Sequence, residues 1–279
     1  MSTKKVWFVT GASKGLGLTL VKKLLAEGYS VAATSRNVSE LQKVISAENS
    51  DFLPLEVDLV NENSVSEAIS KTVEKFGQLD VIVNNAGYGQ LGTLEELTDK
   101  ESRQNFDTNV FGSLNVIRKS MPYLRAQKNG LVINIASIGG LSGDFPGWGI
   151  YCATKFAVVG FTEALAAEAK EFGVNATIVY PGYFRTDFLT GGSLRTPENE
   201  IDAYATARQI QKAHEQDING NQPGDPEKAA VALIELAAME NPPVHLVLGS
   251  DAFQMATNKL STLQNEISDF KTLSISTDY

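Results

Sequence analysis

The sequence predicts one doubly wound α/β domain on a mostly seven-stranded parallel sheet. Short apolar runs rich in β-branched residues recur along the chain, and segments with helical apolar spacing separate them. Most runs lack the polar alternation of a sheet with one wet face, as expected for strands covered on both sides. Repeated strand–helix–strand order with right-handed crossovers then gives the doubly wound arrangement.

In chain order the expected strands are Val6–Thr10, Val31–Thr34, Phe52–Val57, Val81–Val83, Leu131–Ile135, Ala176–Val179 and His245–Leu248. Leu16, Leu20 and Leu24, with Val21 and Leu25 beside them, form the apolar stripe of a first helix; Val65, Ile69, Val73 and Phe76 form another. Thr98-Asp99-Lys100-Glu101 reads as a capping box before a long helix, and Asp225-Pro226 as an N-cap followed by proline at the first helical position. A further helix opens near Tyr151 and runs to about Phe172. The polar stretch 190–224, with Gly191, Gly192, Pro197 and Pro223, is the least regular; its middle, Glu198–Asp217, could be helical. It reads either as a solvated excursion or as a lid over the substrate. The expected division is a domain over 1–250 and a helical extension over 251–279, where Leu260, Leu263 and Ile267 mark an amphipathic face for its own domain or a neighbouring subunit.

The bulk properties narrow the function classes. The 279 residues, 43% hydrophobic, suffice for a full core. A net charge of −9 and a pI of about 4.9 are the opposite of a nucleic-acid reader's basic footprint. One cysteine, Cys152, rules out an intrachain disulfide and fits a reducing compartment. No run approaches the ~18–20 apolar residues of a membrane span, and Val6–Val9 is too short for a signal segment; a cytoplasmic protein is expected. His214 and His245 have no Cys, Asp or Glu at ligand spacing, so no metal site is expected.

The first expected strand runs into Thr10-Gly11-Ala12-Ser13-Lys14-Gly15-Leu16-Gly17 and then a helix. Glycines let the backbone turn close to a pyrophosphate, and the helix N-terminus presents free N–H groups. An NAD site commonly has a carboxylate at the end of the second strand, on the ribose 2′-hydroxyl. Here that strand ends Thr34-Ser35-Arg36-Asn37. A guanidinium pairs with a 2′-phosphate that a carboxylate would repel, so Arg36, with Lys14 as a second positive charge, points to NADP(H). Asp58 and Asn84-Asn85-Ala86-Gly87 fall at the carboxyl ends of the third and fourth strands, where open α/β sheets bind ligands.

Tyr151 and Lys155 lie four apart on one helix face, fourteen residues after Ser137. Free tyrosine titrates near ~10; a nearby ammonium favours phenolate, and a close lysine plus a positively charged oxidised nicotinamide could supply the roughly 3–4 kcal/mol of differential interaction that would bring it down by about two to three units. Ser137 can donate a hydrogen bond to a substrate oxygen, and Asn109 can position a water or the lysine. Ser137 lacks the glycine-flanked elbow of a hydrolase nucleophile.

Together the glycine turn, the Asn-Asn-Ala-Gly segment, Asn109, Ser137 and Tyr151/Lys155 resemble the short-chain dehydrogenase/reductase family over roughly Lys4 to Ser250. The spacings are those of its compact branch and not of its extended sugar-nucleotide epimerase branch; the tail 251–279 is longer than the compact branch usually carries. The resemblance implies a Rossmann-type domain. It also implies a catalytic tetrad of Asn109, Ser137, Tyr151 and Lys155, a coenzyme turn at Gly11, Gly15 and Gly17, and Asp58 near adenine. Lys155 would bind the nicotinamide ribose, and Pro181-Gly182 with Thr186 the carboxamide.

Residues after Ser137 and after Pro181 should line the substrate pocket: Leu141, Phe145, Trp148, Tyr183, Phe184, Phe188 and Leu189. They are bulky and apolar, with only Arg185 and Arg195 as nearby cations, which suggests a hydrophobic ketone, aldehyde or secondary alcohol. Two rivals are a 3-oxoacyl-thioester ketoreductase and a non-catalytic NADP(H)-sensing protein. A homo-oligomer, dimer or tetramer, is expected.

Overall fold

The computed structural model describes residues 4–45, 49–190 and 192–279; Gly191 of the expected lid lies outside them. The strands are β1 (Val6–Val9), β2 (Ser30–Ser35), β3 (Phe52–Glu56), β4 (Val81–Asn84), β5 (Gly89–Gln90), β6 (Gly130–Ile135), β7 (Val174–Pro181), β8 (Leu194–Arg195) and β9 (His245–Leu248). Seven form one parallel sheet, ordered β3-β2-β1-β4-β6-β7-β9. The expected fold class holds, with strand ends moved by one or two residues. The two-residue pair β5–β8 was not foreseen.

The helices are α1 (Gly15–Ala26), α2 (Val38–Val44), α3 (Glu62–Phe76), α4 (Asp99–Phe106), α5 (Gly112–Gln127), α6 (Gly149–Ala169), α7 (Ala205–Lys212), α8 (Pro226–Ala238), α9 (Ser250–Asp269) and α10 (Lys271–Ile275). Successive strand side chains point to opposite faces. Trp7 and Val9 join Leu20, Leu24 and Leu233 on the α1/α8 side; Phe8 joins Ile69, Val116 and Leu165 on the α3/α5/α6 side. Strand order reverses between β1 and β4, and the crevice outside those carboxyl ends is where such sheets take ligands.

Local sequence explains most boundaries. The Thr98 hydroxyl accepts the Glu101 N–H at 3.2 Å while the Glu101 carboxylate accepts the Thr98 N–H at 2.9 Å, completing the capping box. Asp225 accepts the Glu227 N–H at 2.9 Å ahead of Pro226. Between α4 and α5 the chain makes a π-helical turn, Asp107–Phe111, which holds Asn109 and which the helical spacing did not reveal.

Three expectations need correction. Helix in 198–217 starts only at Ala205, passing into a π-helical turn over Ala213–Ile218. Before it, the Glu198 and Ile201 N–H groups bond the Glu101 and Glu96 carboxylates at 3.0 and 2.8 Å, in place of helix carbonyls. Contrary to the membrane reading, Gly149–Phe172 is long and apolar enough to span a bilayer, at a mean hydropathy of 1.3. It is α6 with its final turn, and it packs on β7 with Tyr151 and Lys155 buried. In the tail, Ala252 and Ala256 pack against Ile138, whereas Leu260, Leu263 and Ile267 are exposed, so only the start of α9 rests on its own domain.

Thr98→Ala removes one half of the capping box. It should lower the unfolding free energy by about 1 kcal/mol, seen as a lower urea midpoint with unchanged slope.

Candidate active site

The carboxyl ends of β1, β2, β4, β6 and β7 open into a cleft of about 1140 Å³. Of the residues expected to hold a cofactor, Gly11, Ser13, Lys14, Gly15, Leu16, Ser35, Arg36, Asp58, Asn85, Ala86, Gly87, Tyr151, Lys155, Pro181, Gly182 and Thr186 line it. Gly17 lies behind. A Cβ there would meet the Asn85 amide at 2.5 Å and the Gly11 carbonyl oxygen at 2.6 Å, so only glycine lets α1 start this close to the turn. Gly11 has φ +64°, and a Cβ on it would sit 2.7 Å from the Ala86 Cα.

The Asn84-Asn85-Ala86 segment lashes this turn in place. Thr10 Oγ1 accepts both the Asn85 and the Ala86 N–H at 3.0 Å, and Asn85 Nδ2 donates to the Thr10 and Gly11 carbonyls at 2.9 and 3.1 Å. The Asn85 side chain thus shapes the turn. Helix α1 begins with no side-chain cap and no acidic residue in its first turn, leaving its N–H groups open to an anion.

At the end of β2, Arg36 is exposed on the cleft wall; Lys43 and Glu40 of α2 line the same cleft. Lys14 reaches elsewhere: its Nζ would lie 3.2 Å from a Cβ on Gly192, so it extends toward the 190–224 excursion. Asp58 accepts the Val60 N–H at 3.0 Å.

The open N-terminus, the close approach of α1 to the turn that Gly17 allows, and exposed Arg36 together fit a dinucleotide carrying a 2′-phosphate.

Tyr151 and Lys155 are both buried on the same face of α6. Lys155 Nζ donates to the Ile135 carbonyl at 2.9 Å and stands 5.7 Å from the centre of the Tyr151 ring. Burial pulls the Lys155 ammonium down to about 8. Burial also pushes the Tyr151 phenol well above its ordinary value, the Ser137 hydroxyl acting weakly the other way. Desolvation disfavours both charged forms at once, so the Lys155 ammonium by itself does not bring the phenol toward neutrality. Further lowering requires charge brought by a ligand.

Ser137 faces the same space, its Oγ accepting the Gly139 N–H at 3.0 Å. Asn109 does not line the cleft. Its amide bonds the Tyr88 carbonyl at 3.1 Å and Thr154 Oγ1 at 3.0 Å, and its Oδ1 accepts the Tyr88 N–H at 3.0 Å. It clamps the loop after β4 against α6 from within the π-helical turn. Thr154, whose Oγ1 bonds the Tyr151 carbonyl at 2.7 Å, was missed by sequence reasoning, though it lies between Tyr151 and Lys155.

On the substrate side Phe145, Trp148, Tyr183, Phe184, Phe188 and Leu189 line the cleft; Leu141 does not. Leu141 packs between Tyr180, Ile138 and Ala252, joining the sheet to α9. His214 and Gln222 line the cleft without having been foreseen, because their sequence neighbours carry no motif, and so does Tyr88, next to the Asn-Asn-Ala-Gly segment. Asp251, in the first turn of α9, accepts the Tyr183 N–H at 2.7 Å and packs against Gly182, where a Cβ would find no room. The described residues hold no cluster of metal-ligating side chains.

A lysine depressed to about 8 opposes folding below that pH, and the penalty vanishes between about 8 and the unfolded value near ~10.4. Lys155→Met should therefore raise stability at pH 7 by on the order of 1–2 kcal/mol, reduced by the lost Ile135 bond, with the gain closing as pH rises to about 10. Thermal unfolding from pH 7 to 10 checks this.

Comparison with known proteins gives the family. The profile described as short chain dehydrogenase matches residues 5–194. A 3-ketodihydrosphingosine reductase of Bacteroides thetaiotaomicron is 36% identical, covering 88% of each chain. A solved short-chain dehydrogenase from Streptomyces avermitilis is 34% identical, covering 100% of both chains with a TM-score of 0.91. ElxO, solved with NADP bound, is 27% identical, covering 90% of this chain and 99% of its own, with a TM-score of 0.73. The chain belongs to the short-chain dehydrogenase/reductase family, oxidoreductases of C=O and CH–OH groups.

Proposed function

We propose that the protein is an NADP(H)-dependent carbonyl reductase or alcohol dehydrogenase acting on a hydrophobic ketone, aldehyde or secondary alcohol. The observation that carries this is the buried Tyr151–Lys155 pair facing the same cleft as the glycine turn and Ser137. When bound, NADPH supplies the hydride to the carbonyl carbon. Tyr151 then gives its phenolic proton to the carbonyl oxygen, and Ser137 donates a hydrogen bond to that oxygen. Lys155 holds the ribose hydroxyls and, as an ammonium, lowers the cost of the phenolate left on Tyr151. Asn109 acts as a positioning residue through Tyr88 and Thr154.

Arg36, where β2 ends Thr34-Ser35-Arg36-Asn37 without a carboxylate in the sequence, supports NADP(H) over NAD(H), and the NADP-bound neighbour agrees with that reading. Gly11, Ser13, Gly15, Leu16 and Gly17 would hold the pyrophosphate, Asp58 the adenine end, and Pro181, Gly182 and Thr186 the nicotinamide end. Against an acyl-thioester substrate, the two nearby arginines are engaged: Arg185 bonds the Gln222 carbonyl, and Arg195 lies over the Tyr88 ring at 4.2 Å. The complete set of acid–base groups disfavours a non-catalytic sensor. We read 190–224 as a lid anchored by the β5–β8 pair and by Glu96 and Glu101. The tail 251–279 is an extension whose exposed apolar stripe favours a homo-oligomer, in the cytoplasm.

Tyr151→Phe should cut kcat by about 100-fold or more in an NADPH-consumption screen over ketones and aldehydes while leaving NADPH affinity within about threefold. Turnover that survives would remove Tyr151 as the acid. Arg36→Asp should lower the NADPH:NADH ratio of kcat/KM by about 10- to 100-fold. A wild-type preference for NADH would contradict the cofactor assignment.

A further inference from the structure

Beyond Tyr151 the cleft is walled by apolar groups, yet two polar side chains in that wall have no partner. Gln222 is 1% exposed, and neither atom of its amide meets a hydrogen-bonding group. Trp148 is 5% exposed, and its indole Nε1 is likewise unmatched. Both residues line the cleft that Tyr151 faces. A buried polar group without a partner costs about 1–3 kcal/mol; these atoms are covered in the open cleft, and a turn of the side chain toward it would let a ligand satisfy them.

The surroundings show what kind of group fits. Trp148 stacks edge-on to Tyr151, ring centres 5.3 Å apart, and lies 4.9 Å from the His214 ring. His214 is saturated: Nδ1 bonds the Ile210 carbonyl at 2.8 Å, and Nε2 meets the Tyr183 hydroxyl at 2.9 Å. The carbonyl requires Nδ1 to carry the proton, and burial disfavours the charged ring, so Nε2 accepts from Tyr183. The imidazole is therefore neutral, with nothing free for a substrate. Gln222 is held by its backbone, whose carbonyl takes Nε and Nη2 of Arg185 at 3.3 and 3.1 Å. That arginine is thus committed, and Arg195 lies over the Tyr88 ring. No cation is left at this end for a carboxylate or phosphate. What remains is a paired donor and acceptor from Gln222 and a donor from Trp148.

We infer that Gln222 and Trp148 form a polar subsite for a neutral hydrogen-bonding group, a hydroxyl or a carboxamide, carried by an otherwise apolar carbonyl substrate at a distance from its reacting carbon. The inference deepens the carbonyl-reductase reading and rests on it for the reaction. A hydroxyl donates to Gln222 Oε1 and accepts from its amide or from the indole; a methyl leaves all of them unmatched. Sites built to bond a hydroxyl discriminate strongly against analogues that lack it.

The test uses unbranched methyl ketones from pentanone to decanone, each beside its terminal-hydroxy analogue, with the full-length protein and NADPH. Wild type should favour the hydroxylated partner by about tenfold or more in kcat/KM at one or two chain lengths. In Gln222→Leu that ratio should fall to within about twofold. The second readout needs no turnover. The chain has two tryptophans, so nitrogen-15 spectra show two indole N–H signals, assigned with Trp148→Phe. With NADP+ present, the Trp148 signal should move on adding the favoured hydroxy-ketone and stay with the plain one. Equal kcat/KM within every pair, or a preference that survives in Gln222→Leu, overturns the subsite. If no ketone is reduced, the reductase reading fails and the indole signal decides the subsite alone: selective movement upholds it, and a signal that no hydroxy-ketone moves overturns it.

Discussion

A lysine buried beside a tyrosine is the constraint on which the rest of this structure turns. Lys155 sits inside the protein, and among the described residues the Ile135 carbonyl is its hydrogen-bond partner and no carboxylate pairs with it. Burial weakens its ammonium and stiffens the resistance of Tyr151 to ionisation. The fold keeps a charged lysine and a phenol out of water at a cost, and two well-packed layers of apolar side chains on either side of the sheet supply the stability that tolerates it. The arrangement leaves the pair responsive to charge brought by a ligand, as a proton-transfer site requires.

Three pieces of backbone meet where that ligand would lie. The glycine turn after β1 is tied to the segment after β4 through Thr10 and Asn85. The same segment is tied to α6 through Asn109, which reaches both Tyr88 and Thr154. The segment after β7 is tied to the tail through Asp251 and Tyr183. The cofactor turn, the acid–base pair and the start of α9 are therefore one connected body. Small displacements at any of them would be felt at the reacting carbon, and proton transfer tolerates little misplacement.

Much of this was legible in the sequence, for physical reasons that differ by element. Both-faces burial made the sheet strands visible as apolar runs, and local side-chain chemistry marked the helix starts at Thr98 and Asp225. The glycine turn and the Tyr151/Lys155 spacing were readable because each is a short contiguous pattern. The roles of Asn85 and Asn109 were only half legible: the positions stood out, but their amides face the protein and not a ligand, which depends on contacts 21 to 75 residues away. The π-helical turn around Asn109 has no signature in apolar period. His214 and Gln222 reach the cleft only because 192–224 folds back over it, and Leu141, whose bulk suggested the pocket, is covered by α9. Tertiary placement of a long connection was beyond what composition and spacing encode.

The central claim is that the fold leaves Tyr151 reluctant to ionise and that cofactor charge makes it a usable acid. Carbon-13 spectra of the tyrosine Cζ atoms, with Tyr151 assigned by Tyr151→Phe and followed from pH 6 to 11, test it directly. The free protein should show Tyr151 still protonated at pH 11, and saturation with NADP+ should bring its titration into the measured range. A Tyr151 signal that titrates normally in the free protein, or one that NADP+ leaves unmoved, would contradict the account.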